Sequence, residues 1–385
     1  MSGDTSDNSY RHSRRGQRQL HALVDGTPLL GQRSGIGRYT AALLRELATH
    51  TEVDVTVTAF TARGQGALRR AVPPGIAVRG GPVPARALRA LWHRVGWPPA
   101  ELLATDADVL HATNFVLPPS TRARGVVTVH DLAFLDLPEF LAPAQRDLPD
   151  LVRRSVARAA VVCTPSRAVA QQVAHRLDIP AERIVVTPLG VDPAWSSTGP
   201  PSPALRATLG LPSRYLLFVG AAQPRKGLDV LLDAHAAQPD LAPLVLAGPA
   251  GWGPPGWGLT LTTSSSSRVR AVGYLDEADL RCVVAGAAAL VLPSRDEGFG
   301  LPVLEAMAAG VPVVCSDLPA LREVTGGLAT LVPPGDPAAL ATALGRMQDA
   351  GRDPVSAAAR QAHAARYTWQ ACAQATVRAY RKACG

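Results

Sequence analysis

Residues 288–324 read AALVLPSRDEGFGLPVLEAMAAGVPVVCSDLPALREV, and the order of apolar and polar stretches in them sets the fold class. An apolar run at 288–292 gives way to a polar loop, then to a helical stretch containing Glu305, then to a second apolar run at 311–315. Strand, crossover helix, strand is the unit of a parallel sheet whose strands are buried on both faces. Pro302 suits the first helical position, where its missing N–H would have no partner anyway. The N–H groups of Phe299, Gly300 and Leu301 then point from the helix N-terminus at whatever lies beyond the strand. Glu297 falls on the loop and Glu305 about one turn into the helix, so the two carboxylates suit different parts of an elongated polyhydroxylated ligand. Read only as structure, Glu297 is a surface carboxylate and Glu305 a helix acid favoured by the dipole.

The same alternation continues in both directions. Runs at 20–24, 53–58, 107–111, 125–129, 159–162 and 184–186 form one series, and runs at 215–220, 243–247, 268–272, 288–292, 311–315 and 328–332 a second. Between them SSTGPPSP at 196–203 breaks the period. At 385 residues and 40.2 kDa the chain exceeds what one core usually serves. The expected organisation is α/β with two Rossmann-like doubly wound domains: a disordered basic tail at 1–18, an N-terminal domain at 19–195, a linker at 196–210, a C-terminal domain at 211–365 and a final helix at 366–385. In such sheets ligands sit beyond the carboxyl ends of the strands, so the cleft between the domains is the expected site.

Composition narrows the partners. Hydrophobic residues are 47% and charged residues 18%, which excludes a disordered chain. The net charge of +8 suits an anionic partner. Nucleic acid is not expected, because no recognition-helix motif or interleaved basic and aromatic strand is present. The five cysteines contain no CxxC pair and their odd number argues against a disulfide framework, so a reducing, cytoplasmic setting is expected. No apolar run is long enough to span a bilayer. Residues 84–98, PARALRALWHRVGWP, carry Leu88, Leu91, Trp92 and Val95 at helical spacing between arginines. That stripe serves an ordinary packed helix or a peripheral contact with an acidic membrane at its inner face.

Several strand ends carry chemistry. Gly31 to Tyr39 contains Gly35 and Gly37 before a helix expected to start near Tyr39. Such glycines let backbone N–H groups approach a phosphate, or simply make a tight turn. His111 and His130 end neighbouring strands on what the pattern makes one rim, and His130 is the better candidate. Arg225 and Lys226 follow the strand at 215–220. Only Lys226 and Lys382 among 39 basic residues are lysines, so Lys226 stands out, and the pair suits a diphosphate.

Together SGIGRYTAALLREL at 34–47, VVTVHDLAFLDLPE at 126–139, LFVGAAQPRKGLDVLLDA at 217–234 and PSRDEGFGLPVLEAMAAGVPVVCSDLPALREV at 293–324 resemble glycosyltransferase family 4, retaining enzymes of the GT-B architecture. Glu297 and Glu305, with seven residues between them, match that family's two-glutamate motif. The resemblance implies a transferase that moves a hexose from a nucleotide sugar to a glycan, a lipid-linked acceptor or a small-molecule metabolite, the first domain being the acceptor side. It implies Arg225 and Lys226 on the donor diphosphate, Glu305 on the ribose, Glu297 on the transferred sugar, and His130 near the reacting carbon. Phe299, Gly300 and Leu301 would add backbone contacts, Gly273 and Tyr274 would lie beside the base, and Gly35 and Gly37 would face the phosphate and acceptor. The segment at 126–139 is similar to mannosyltransferase-like members, which makes GDP-mannose the first donor to test before UDP sugars.

No cofactor or metal is expected: Asp106 and Asp108 precede a strand, and Arg225 with Lys226 already offset the phosphate charge. The alternative is a non-catalytic member that only binds nucleotide sugar or glycan. Residues 249–267 depart from the family pattern, since their Gly, Pro and Ser content denies the helix usual there.

Overall fold

The structure, a computed structural model, describes residues 19–32, 35–138, 141, 146–251, 268–351 and 353–385. The expected tail at 1–18 and most of the 249–267 segment lie outside the described residues. Among the described residues, β1 (Leu20–Asp25), β2 (Val53–Thr58), β3 (Ala77–Val78), β4 (Val109–Ala112), β5 (Arg124–Thr128), β6 (Val161–Thr164) and β7 (Ile184–Val186) form one sheet in the order β3-β2-β1-β4-β5-β6-β7. A second sheet holds β8 (Leu216–Val219), β9 (Leu244–Ala247), β10 (Val269–Gly273), β11 (Ala289–Leu292), β12 (Val313–Ser316) and β13 (Thr330–Val332) in the order β10-β9-β8-β11-β12-β13.

Every pairing is parallel. Strands β4, β6, β8, β9, β11 and β12 are buried at every residue, as sheets covered by helices on both faces require. In each sheet the strand order reverses beside the first strand, between β1 and β4 and between β8 and β11. Crevices open at the carboxyl ends there.

Some expectations shift. The helix Gly35–Leu47 starts at Gly35 rather than near Tyr39, and the helix Leu301–Ala308 starts one residue before Pro302. The span expected as linker is partly helical. Ser202 accepts a hydrogen bond from the Leu205 N–H at 3.2 Å, Pro203 follows, and Gly210 closes the helix Pro203–Leu209 at φ 59°. Strand β3 was not anticipated, because its two residues are not fully buried and sit on the sheet edge. The stripe on the helix Ala85–Val95 divides: Leu88 is buried, Trp92 half-buried, and Leu91 and Val95 exposed.

The chain crosses between the sheets twice, and the crossings touch. The Val191 N–H donates to the Tyr367 carbonyl at 3.0 Å, and Gly190 lies so close to the Thr368–Trp369 backbone that a Cβ would collide with it. After the second crossing the helix Trp369–Cys384 lies on the first sheet, touching β1 and β4 through β7. His111 belongs to this packing and not to the rim. It is fully buried inside β4, with Nδ1 2.8 Å from the Tyr380 hydroxyl and Nε2 2.8 Å from the Thr128 hydroxyl. Burial pulls its pKa down to about 3, so the ring is neutral and both nitrogens are partnered.

Tyr380→Phe removes one partner from a buried polar ring without changing shape. It should lower stability by about 1–3 kcal/mol, whereas Tyr380→Ala adds a cavity and should cost roughly 3–5 kcal/mol. Urea unfolding with unchanged slope checks both.

Candidate active site

The loop after β8 and the loop after β11 leave the switch point of the second sheet side by side. Pro224–Lys226 makes one tight turn, and Gly227 follows at φ 63°, where its missing Cβ leaves room for the Pro293 carbonyl. Arg295 ties the loops together. Its N–H donates to the Arg225 carbonyl at 2.8 Å, and its guanidinium donates to the Pro224 carbonyl at 2.7 Å and to Asp229 Oδ1 at 2.9 Å. Neither Arg295 nor Asp229 was singled out from the sequence. The available signal was an acid in the first turn after Lys226 and an arginine two residues before Glu297.

This clamp brings two charges together. Lys226 Nζ donates to Glu297 Oε1 at 2.6 Å, and the Ser294 hydroxyl donates to the same oxygen at 2.7 Å. The Glu297 side chain is 8% exposed. Burial by itself would raise its pKa, but the Lys226 ammonium and Arg225 guanidinium hold it below the usual carboxylate range. Burial pulls Lys226 below the usual ammonium range, with Glu297 opposing. Beside them the N–H groups of Phe299, Gly300 and Leu301 meet no acceptor among the described residues.

The first domain closes over this loop. Gly298 sits against the His130 carbonyl, leaving no room for a Cβ, and its own carbonyl accepts from the Ser166 hydroxyl at 2.8 Å. Arg225 Nη1 lies 3.7 Å from Asp131 Oδ2. Glu323 accepts from the N–H groups of Arg167 and Ala168 at 3.1 and 3.2 Å, at the start of the helix Arg167–Arg176. Arg38, in the first turn of the helix Gly35–Leu47, pairs with Glu305 through two contacts, at 2.6 and 3.1 Å. His130 Nε2 donates to the Thr113 carbonyl at 2.8 Å, which places the lone pair of the neutral ring on Nδ1. Burial holds its pKa below the usual imidazole value, against the Thr113 hydrogen bond and Asp131.

A cleft of 1120 Å³ lies between the two rims. His130, Arg225, Lys226, Glu297, Phe299, Gly300, Leu301, Tyr274 and Gly35 all line it. Gly37 does not, being buried in the first helical turn, and neither does Gly273, although Tyr274 beside it does. Glu305 is the larger departure. It is only 3% exposed and does not line the cleft; Arg38, which does, occupies its carboxylate. Asp106 pairs with Arg122 and Asp108 accepts from the His21 N–H, both at the amino end of β4, away from the site.

Several known proteins are similar to this chain. Residues 33–195 match the model described as Glycosyltransferase Family 4, and residues 213–349 match Glycosyl transferases group 1. O-antigen chain mannosyltransferase B of Escherichia coli is 32% identical over 282 residues, covering 71% of this chain and 74% of that one. The chain belongs to glycosyltransferase family 4. A D-inositol 3-phosphate glycosyltransferase of Thermobispora bispora is 30% identical, over 94% of this chain and 93% of its own. Among solved structures, sucrose-phosphate synthase from Thermosynechococcus elongatus matches with TM-score 0.68 at 23% identity, covering 94% of this chain and 98% of its own. HepE of Anabaena in complex with UDP-glucose matches with TM-score 0.68 at 20% identity, covering 94% of this chain and 99% of its own. These likenesses establish the GT-B fold of this family 4 glycosyltransferase.

One acid at the domain contact gives a pH dependence. Asp296 Oδ2 is buried with no hydrogen-bond partner among the described residues, and burial with the nearby Asp131 and Glu297 pushes its pKa up to about 7. A folded-state pKa above the unfolded value of about 4 contributes stability that is full below pH ~4 and lost as pH rises through 7. Melting temperature should therefore fall more steeply for the natural chain than for Asp296→Asn between about pH 4.5 and about pH 7.5, and run parallel to it above that. Parallel curves across the lower range would contradict this account.

Proposed function

We propose that this glycosyltransferase moves a hexose from a nucleoside diphosphate sugar to a hydroxylated acceptor held against the first domain, with retention of configuration and without a metal ion. The observation that carries the reading is the Lys226–Glu297–Ser294 cluster, with Arg225 beside it and three backbone N–H groups at the helix start that meet no acceptor among the described residues, facing His130 across the cleft. Sugar transfer passes through an oxocarbenium-like state while negative charge grows on the departing diphosphate. Fixed cations and N–H donors at that point stabilise the transition state more than the ground state.

Both Glu297 bonds fall on Oε1, so Oε2 keeps acceptor capacity for hydroxyls of the transferred sugar. Retention needs no carboxylate nucleophile when the acceptor attacks from the side of the leaving diphosphate, which takes up the proton. A role for Glu305 on the ribose requires Arg38 to give up at least one of its two contacts.

GDP-mannose is the first donor to test, supported by the mannosyltransferase among the relatives; a UDP sugar is the second, supported by the UDP-glucose complex of HepE. A reducing, cytoplasmic location is supported by five cysteines that are all free thiols. Thermal shift with GDP and UDP, followed by transfer assays with and without chelator, tests the reading. A nucleotide at about a hundredfold its Kd should stabilise the chain by about 2.7 kcal/mol. Lys226→Ala and Glu297→Gln should each lower kcat by roughly 10²–10³ with the fold intact. Undiminished turnover in both variants would refute it.

A further inference from the structure

The first-domain wall of the cleft is apolar once it leaves the polar rim. Phe60, Trp92, Phe115, Phe134, Leu137 and Leu148 all line it. The aromatic rings are ordered edge to face: Phe115 stands 5.6 Å from His130 and 5.8 Å from Phe134, and Phe60 stands 4.8 Å from Trp92. His130, Phe115 and Phe134 thus form one run of touching rings on this wall, and Phe60 with Trp92 a second pair.

Phe115 is held there against its backbone preference. Its φ is 60°, a conformation that costs an ordinary side chain on the order of 1–2 kcal/mol. Its N–H is fixed to the Thr128 carbonyl at 3.0 Å. The strained residue in this turn is the aromatic one, although Asn114, which tolerates such a conformation better, stands next to it. The first-domain lining also carries polar side chains, Gln32, Asn114 and Asp131 among them, and Asp25 already accepts two hydrogen bonds from Thr27. A polyhydroxylated acceptor lying on six apolar side chains would lose hydrogen bonds to water without replacement.

We propose that the acceptor is amphiphilic, with an apolar aglycone that runs from the accepting hydroxyl along Phe115 and Phe134 toward Leu137 and Leu148. This rests on the reading above, in which the first domain is the acceptor side. The shared chemistry, an apolar aglycone, has two sources: a linear lipid chain or a compact ring system. The outer surface favours the linear chain. The helix that supplies Trp92 exposes Leu91 at 37% and Val95 at 64%, and Trp97 and Leu102 follow at 58% and 69%. Four of the six exposed large hydrophobic side chains among the described residues thus lie at 91–102, beside the polar, basic Arg94. A lipid-borne acceptor would reach the cleft from such a surface.

The test is calorimetric titration of the full chain, with UDP or GDP present, against methyl, butyl, hexyl and octyl glycosides of one sugar below their micelle concentrations, and against an aryl glycoside of similar apolar area. Each buried methylene is worth about 0.8 kcal/mol, or roughly fourfold in affinity, so burying about two of the methylenes that hexyl adds to methyl makes it bind at least about tenfold tighter. Linear chains outperforming the aryl glycoside identify a lipid-linked acceptor; the reverse identifies a compact aglycone and still upholds the proposal. Affinity independent of chain length overturns it. Phe115→Asn, which keeps the backbone conformation, and Leu148→Gln, at a half-buried position, should each flatten the series, and an unchanged slope in both overturns the location assigned. Nucleotide binding and donor hydrolysis in the same preparation separate this outcome from failure of the transferase reading: hydrolysis with a flat series removes only the apolar acceptor.

Discussion

Glu297 is buried against the second domain, and a carboxylate in that position must be neutralised by a fixed partner or give up its charge. Lys226 is that partner at 2.6 Å, and the consequences spread outward from the pair. To meet, the two side chains need the loops after β8 and β11 in contact along their length. Contact requires a glycine where the Pro293 carbonyl passes, and Gly227 supplies it. It also requires the loops not to slide, and the Arg295 guanidinium, fixed to Asp229 and to the Pro224 carbonyl, prevents that. A bidentate arginine suits this role better than lysine, because its planar fork fixes direction as well as distance.

The domain contact is built differently from the cores. Within each sheet the strands are buried by Val, Leu and Ala. Around the cleft, polar groups and backbone join the domains: Arg38 with Glu305, Arg225 with Asp131, Ser166 with Gly298, and Glu323 at a helix start. Polar contacts of this kind can be exchanged for ligand or water at modest net cost, whereas a packed apolar seam cannot. The two backbone crossings, which meet at the Val191–Tyr367 hydrogen bond, tie the halves together independently of those contacts.

Much of this was legible in the sequence because it is local. A strand buried on both faces must be a short apolar run, so VLHA, LLFV and ALVL announce themselves, and the loops that follow them line the cleft. Arg225, Lys226 and Glu297 could be chosen because loops at strand ends have few structural reasons to hold buried charge. What failed was non-local or compositionally faint. Strand β3 has only two residues and neither is fully buried. His111 looks like a rim residue until the helix Trp369–Cys384, 269 positions later at Tyr380, covers it. The pairing of Arg38 with Glu305 spans 267 positions, and no spacing rule reaches that far. The linker read from Pro, Gly and Ser hid a capped helix, since Ser-Pro begins helices as readily as it ends them.

The Arg38–Glu305 pair also constrains the chemistry of anything that replaces it. Burial pushes the Glu305 pKa up to about 7, with the Arg38 guanidinium opposing. A buried ion pair adds little net stability, but removing one member leaves the other charge without solvent or partner, which typically costs about 3–5 kcal/mol. Arg38 can therefore leave Glu305 only if the carboxylate takes up a proton or an incoming group donates hydrogen bonds to it. Two neighbouring hydroxyls on a rigid ring meet that condition, because both carboxylate oxygens are satisfied at fixed spacing and no new charge is buried. Arg38, once displaced, remains a cation on the lining of the cleft, where an anionic group is the partner that would replace Glu305. A diol and an anion arriving together would satisfy both members of this pair, which also joins the two domains.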